Sequence, residues 1–197
     1  MQERRSNSDR RAETRGALIH SARALFLEKG FAATGTPEIV QQAGVTRGAL
    51  YHHFKDKQAL FLAVVEAEAA QLAQEIEAGA SDAQTPMAAL TDGARAYFKA
   101  MRQPGRVRLL LLEGPAALGP ETMRRIDLDT GGHELRRGLS DVMGADMDGA
   151  QINALADMIS AMFDRAALAC DAGAASNAYE DAIDSVLHAL YRQSRID

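Results

Sequence analysis

Apolar side chains recur at helical spacing along nearly the whole chain. Ala17, Leu18, Ala22, Leu25 and Phe26 form the first such stripe, with Ser21 among them. It predicts a helix over about Thr14–Lys29, stopped by Gly30, with Phe31 folding back onto the core. A second, short helix is expected over Glu38–Ala43, with Thr36 as its N-cap, Pro37 at the first helical position and Gly44 ending it. A third follows over Arg47–His53 with Thr46 as N-cap. Ile39, Val45 and Leu50 are spaced to form the small core of this pair. Two short helices joined by a tight turn containing glycine make a helix-turn-helix pattern. Asp56 can cap a long fourth helix reaching about Ala78, with Leu60, Phe61, Val64, Val65 and Leu72 along one face.

After a polar linker over Gly79–Pro86, the same periodicity predicts helices over about Met87–Met101, Val107–Leu112, Glu121–Met143, Gly149–Asp171 and Ser176–Gln193. Gly114-Pro115 and Gly119-Pro120 read as breaks, Gly131-Gly132 as a weak point, and Asp146 or Asp148 as a cap. Period-two runs rich in Val, Ile and Thr are missing. The fold class is therefore all-α, with about nine helices: a three-helix N-terminal helix-turn-helix domain and a larger C-terminal helical domain. The boundaries are residues 1–13 as a flexible Arg-rich arm, 14–62 as the helix-turn-helix domain, and 63–197 as the regulatory and dimerisation domain.

Charge sharpens this division. The net charge of −5 over 197 residues argues by itself against nucleic acid. Residues 1–62, however, carry ten Lys/Arg against six Asp/Glu, and residues 63–197 carry twelve against twenty-one. A basic N-terminal module on an acidic body suits a protein that presents one face to phosphate. The single cysteine, Cys170, can form neither an intrachain disulfide nor a cysteine-based zinc site alone, and its apolar neighbours suggest a buried position. No apolar stretch reaches the roughly 20 residues needed to cross a bilayer, and the N-terminal arginines lack the apolar segment of a signal peptide. The expectation is a cytoplasmic protein without membrane contact.

The stretch Gly44-Val-Thr-Arg-Gly-Ala-Leu-Tyr-His-His-Phe-Lys-Asp-Lys57 carries the chemistry. Arg47, Gly48 and Ala49 open the third helix, the end at which recognition helices meet the major groove. Gly48 lets backbone approach DNA closely. Arg47 can donate two hydrogen bonds to a guanine edge or grip a phosphate. Leu50 and Phe54 point inward. Together with the lead-in Ala24-Leu-Phe-Leu-Glu-Lys-Gly-Phe-Ala-Ala-Thr34, this stretch resembles the DNA-binding signature of the TetR family of transcriptional regulators, over about residues 14–65. The resemblance implies phosphate contacts from Tyr51, His52, His53 and Lys57, and often from the counterpart of Thr36. Thr36 and Thr46 also cap helices whose free N–H groups can hold phosphate. The DNA-binding set is therefore Thr36, Thr46, Arg47, Gly48, Ala49, Tyr51, His52, His53 and Lys57. The implied partner is double-stranded DNA with a palindromic operator, read by a repressor that a small molecule releases.

The body resembles one group of C-terminal domains of the same family through Arg108-Leu-Leu-Leu-Leu-Glu-Gly-Pro-Ala-Ala-Leu-Gly119. The family's architecture implies a homodimer through the last two helices. Leu155, Met158, Ile159, Met162 and Phe163 form a stripe on one, and Ile183, Val186, Leu187, Leu190 and Tyr191 on the other. An effector pocket would lie between the middle helices, lined by Tyr97, Phe98, Met101, Leu110, Glu113, Met123 and Met162, since Met and aromatic side chains adapt to irregular apolar guests. Glu113 follows four leucines and needs a partner, with Arg108, His133 and a cationic ligand group as candidates. The sequence has no metal-spaced His/Cys set, no phosphate-cradling glycine loop and no serine nucleophile elbow, so neither an enzyme nor a cofactor or metal site is expected.

Overall fold

The computed structural model describes residues 7–144 and 147–193, and among them there are ten α-helices, one π-helical segment and no strand. Helix α1 spans Asn7–Ala33 and is broken at Gly30, whose φ of 84° and ψ of 161° are open only to glycine. Residues 7–13, expected as part of a flexible arm, are helical. The arm's remainder, residues 1–6, lies outside the described residues. Polar composition alone suggested disorder there, but the segment adds two turns to a helix already nucleated by its buried face.

Helix α2 (Thr36–Gln42) begins one residue earlier than expected. Gly35, not Thr36, is its N-cap, and the Glu38 carboxylate accepts a hydrogen bond from the Gly35 N–H at 3.3 Å. Thr36 is thus the first helical residue, and its hydroxyl is free for other work. Helix α3 (Arg47–His53) is capped as expected, with Thr46 Oγ1 accepting from the Ala49 N–H at 3.1 Å. Helix α4 (Lys57–Ala80) is capped by Asp56, whose carboxylate accepts from the Ala59 N–H at 2.7 Å. It runs without interruption across residues 62 and 63, so it serves both the helix-turn-helix and the body.

In the body, α5 spans Pro86–Met101. A π-helical segment over Arg108–Glu113 passes directly into α6 (Gly114–Leu118). The expected break at Gly114-Pro115 is absent, because proline at the start of a helix loses no intrahelical hydrogen bond. The chain continues through α7 (Pro120–Asp129), α8 (Gly131–Met143), α9 (Gly149–Asp171, capped by Asp148) and α10 (Ser176–Gln193).

Two apolar clusters hold these helices. The first runs continuously from the helix-turn-helix into the body, joining Leu18, Phe26, Ile39, Leu50 and Phe61 to Leu109, Ile126 and Ala167. Phe26, Phe31 and Phe61 stack within it, with centroids 4.7–5.8 Å apart. The second joins α5, α8, α9 and α10 through Leu90, Phe98, Leu139, Ile159, Phe163, Ile183 and Leu187.

A buried ion network crosses the first cluster. Arg106, only 1% exposed, donates to Glu68 at 2.8 Å and to Glu75 at 2.9 Å, and Arg23 of α1 reaches the other oxygen of Glu68. Burial opposes charge on Glu68, but hydrogen bonds from Arg23 and Arg106 overcome it and hold the carboxyl below its ordinary pKa. Cys170 is half-buried rather than buried. Among the described residues, no helix is long and apolar enough to cross a membrane.

Candidate functional site

Two sites stand at opposite ends of α4. The first is the outward face of α2 and α3. Residues four apart on a helix share a face, so Arg47 and Tyr51 lie side by side, the guanidinium carbon 5.5 Å from the ring centroid. Hydrogen bonds from the Thr36 and Arg47 side chains hold the exposed Tyr51 phenol below its ordinary pKa. Arg47, Gly48, Tyr51 and His52 are all exposed, Thr46 presents its capped helix start beside them, and Ala49 is half-buried. Desolvation, aided by the positive charges of His52, Arg11 and Arg15, lowers the pKa of His53. Arg15 also stacks 5.4 Å over Phe54. Arg11 and Arg15 are thus brought to the same end of the molecule as the two histidines. Sequence reading placed Arg11 in the N-terminal arm and did not single out Arg15.

Lys57 has a different position from the one its resemblance implies. Its ammonium donates to the carbonyls of Phe31, Ala32 and Thr34 at 2.7, 3.3 and 2.9 Å, and sits 4.5 Å from the Phe31 ring centroid. An ammonium has three N–H donors, and here all three close the C-terminal end of α1. In this arrangement Lys57 ties the start of α4 to the C-terminal end of α1.

The second site is a predominantly apolar cavity of about 550 Å³ between α4, α5, the π segment, α7, α8 and α9. Tyr97, Met101, Leu110 and Met123 line it, as expected. Phe98, Glu113 and Met162 do not. Phe98 is 4% exposed and packs into the second core on Phe163. Met162 lies on the outer face of α9. Glu113 turns away toward α1, where it accepts from the Phe31 N–H at 2.9 Å and pairs with Arg108 at 2.7 Å. Arg108 in turn donates to the Leu27 carbonyl at 2.8 Å. The break at Gly30 makes room for this pair, since a β-carbon there would lie 3.0 Å from the Arg108 guanidinium and 3.1 Å from Glu113.

The cavity's polar groups were missed by sequence reading. Asp164 on α9 accepts from the Tyr97 hydroxyl at 3.2 Å. Desolvation and the charge of Asp127 push its pKa up to about 6, against the pull of that hydrogen bond. Asp127 on α7 is exposed on one side and lies on the cavity wall, and desolvation there raises its pKa too. Ser160 Oγ donates to it at 3.3 Å, and the Gly132 N–H also serves it. A β-carbon at Gly132 would lie 2.9 Å from the Asp127 backbone carbonyl oxygen as well as 2.7 Å from its Oδ2, so glycine is required there. These residues are 30–70 positions apart in sequence from Tyr97 and carry no local signature. Among the described residues, no group of three His, Cys, Asp or Glu is placed to hold a metal ion.

Of the expected interface residues, Ile159, Phe163, Ile183 and Leu187 are 1–7% exposed and belong to the protomer's own second core. Leu155, Leu190 and Tyr191 pack against that core and are half-buried. Val186 is half-buried, while Met158 and Met162 are exposed at 68% and 37%.

Comparison with known proteins matches two stretches of the chain to one family. Residues 18–64 match the model of bacterial regulatory proteins of the tetR family, and residues 87–193 match the tetracyclin repressor-like C-terminal domain. The HTH-type transcriptional activator FasR of Mycolicibacterium smegmatis is 28% identical over 127 residues, covering 64% of this chain and 58% of FasR. The HTH-type transcriptional repressor BepR of Brucella suis is 46% identical over 54 residues, covering 27% of this chain and 26% of BepR. The chain thus spans little more than half, or about a quarter, of the length of these curated relatives. The crystal structure of a TetR-family transcriptional regulator from Pectobacterium atrosepticum superposes with a TM-score of 0.71 at 29% identity, covering 98% of this chain and 99% of that one.

Proposed function

The chain belongs to the TetR family of bacterial regulatory proteins, and on that premise we propose that it is a cytoplasmic, homodimeric repressor, released from a palindromic operator by a small-molecule effector. One observation carries the DNA-binding part. Thr36, Arg47 and Tyr51 converge on the open face of a recognition helix whose start is capped by Thr46. Arg47 reads a base edge or phosphate, Tyr51 and Thr36 hold the backbone, Arg11 and Arg15 supply positive charge alongside, and His52 and His53 add imidazole groups at the same edge. Lys57 ties α4 to the end of α1 and the turn into α2, so that these groups present together.

The dimer forms through α9 and α10. Met158 and Met162 share one face of α9, and Val186 lies on α10 with exposed Ala182 and Ala189 around it. Large apolar side chains left open in this way suit an isologous helix face, and a two-fold dimer can read two half-sites.

The π segment links cavity and DNA. Leu110 and Leu111 line the cavity, while Arg108 and Glu113 of the same segment hold Leu27 and Phe31 of α1. An effector that fits one arrangement of this wall better than the other shifts the population toward it and moves the recognition helices.

Fluorescence anisotropy with a bound duplex tests the reading through Arg47→Ala and Tyr51→Phe. Loss of a base or phosphate contact costs about 1–3 kcal/mol for Arg47, with unchanged thermal stability and oligomeric state. Full affinity in both variants would remove α3 from the interface.

A further inference from the structure

The cavity has more negative charge than it can neutralise. Its two lining arginines are already engaged: Arg124 faces Asp157 at 3.8 Å, and Arg137 pairs with Glu134 at 3.1 Å. Asp164 has no such partner. Among the described residues, the Tyr97 hydroxyl is the one donor that reaches it, and the charged group that acts on it is Asp127, of like sign. Asp127 receives Ser160 and the Gly132 N–H, feels the repulsion of Asp157, and is offset only weakly by Arg136. A half-buried carboxylate, Asp164, facing an apolar space with the like charge of the more exposed Asp127 beside it and no cation is costly, and the cost falls when a positive group enters. The aromatic rings beside them act in the same direction. Tyr97 and Phe163 lie 4.9 Å apart, both on the cavity wall, and their faces attract a cation. A volume of about 550 Å³ is within the usual range for small organic ligands, and an alkali or divalent metal would leave most of it empty.

We infer that the cavity takes an amphipathic organic cation, an amine or quaternary ammonium on an apolar body, with its positive group between Asp164 and Asp127 and its body against Leu72, Met123 and Phe163. This rests on the reading of the cavity as the effector site, and it names the chemistry that site selects. Carboxylate or phosphate ligands are disfavoured at the same position by like charge. Asp164 discriminates by charge; the apolar wall contributes affinity to any ligand of suitable shape.

The test is isothermal titration of the full-length protein at pH 7.5 with three ten-carbon probes below their micelle-forming concentrations: decyltrimethylammonium, 1-decanol and decanoate. The cation is expected to bind roughly ten- to a hundredfold more tightly than the alcohol, the range of one charge-assisted contact, and decanoate more weakly than either. In Asp164→Asn the cation should fall toward the alcohol, while 1-decanol binding stays unchanged and shows the cavity intact. Equal binding of cation and alcohol, tighter binding of decanoate, or an unaltered cation preference in both Asp164→Asn and Asp127→Asn would overturn the inference. Operator titration in the presence of each probe separates the two claims. A cation that binds selectively without weakening DNA binding upholds the ligand class and refutes the effector role. Release of DNA by decanoate instead upholds the effector role and refutes the ligand class.

Discussion

Replacing Asp164 by asparagine should stabilise the ligand-free protein. The carboxyl's pKa is 3.8 in an unstructured chain and about 6 in the fold. The folded state therefore binds more protons than the unfolded one between those values, and stability falls as pH rises through that window. Above about pH 6 the full penalty applies. Two pK units correspond to about 3 kcal/mol. That is a ceiling, because water in the cavity screens the charge and because asparagine must replace the carboxylate as partner of the Tyr97 hydroxyl. A net gain of about 1–2 kcal/mol raises Tm by roughly 3–6 °C for a chain of this size. Thermal melts of wild type and Asp164→Asn, followed by far-ultraviolet circular dichroism from pH 4.5 to 8, provide the assay. The gain should be largest above pH 6.5 and shrink toward pH 4.5, where Asp164 is protonated in the wild type. Asp127 faces the same space and also titrates upward, so Asp127→Asn should show a smaller change of the same sign. A wild type more stable than Asp164→Asn at pH 7.5 would refute the reasoning, since the carboxylate would then have a partner that offsets its desolvation.

Other expectations follow from the scaffold. Arg106→Ala leaves Glu68 buried with only Arg23 beside it, and chemical denaturation should show a loss of about 3–5 kcal/mol. Lys57→Met keeps the stem on Phe31 but frees three carbonyls. It should lower Tm and weaken every DNA sequence equally while leaving the salt dependence of binding unchanged, whereas a salt slope reduced by about one would make Lys57 a direct phosphate contact. His53 is depressed by desolvation and by His52, Arg11 and Arg15, and an approaching phosphate reverses that electrostatic bias. DNA affinity should therefore rise as pH falls from about 7.5 to 6. His53→Gln should flatten the profile, and an unchanged slope in that variant would assign the proton uptake elsewhere.

What the sequence disclosed divides by range of interaction. The α2–α3 pair was legible because its determinants are local: Thr46 caps three residues ahead, Ile39 and Leu50 fall inward by periodicity, and Arg47 and Tyr51 share a face by spacing alone. The long helices were legible for the same reason. Errors arose where a local rule met a tertiary one. Thr36 satisfied the composition of a cap, yet Gly35 and Glu38 supply it. Gly114-Pro115 reads as a break, yet a helix can begin through it. Glu113 was placed in the cavity for its apolar neighbours, but a π-helical turn redirects it to Phe31. Its partner Arg108 was among the three candidates. Phe98 and Phe163 carry the same apolar pattern as true lining residues. Only the packing of α5 on α9 decides that the first fills a core and the second faces a cavity. Asp127 and Asp164 look like solvent-facing residues of amphipathic helices, and nothing within four residues of either reveals the cavity wall they share.

The central claim is that a two-fold dimer reads DNA through α3. Selection from a random duplex pool with the purified protein tests it most directly. A two-fold dimer selects an enriched palindrome with two half-sites about one helical turn apart, lost together with binding in Arg47→Ala. A pool that stays unenriched, in buffers with and without decyltrimethylammonium, would contradict it.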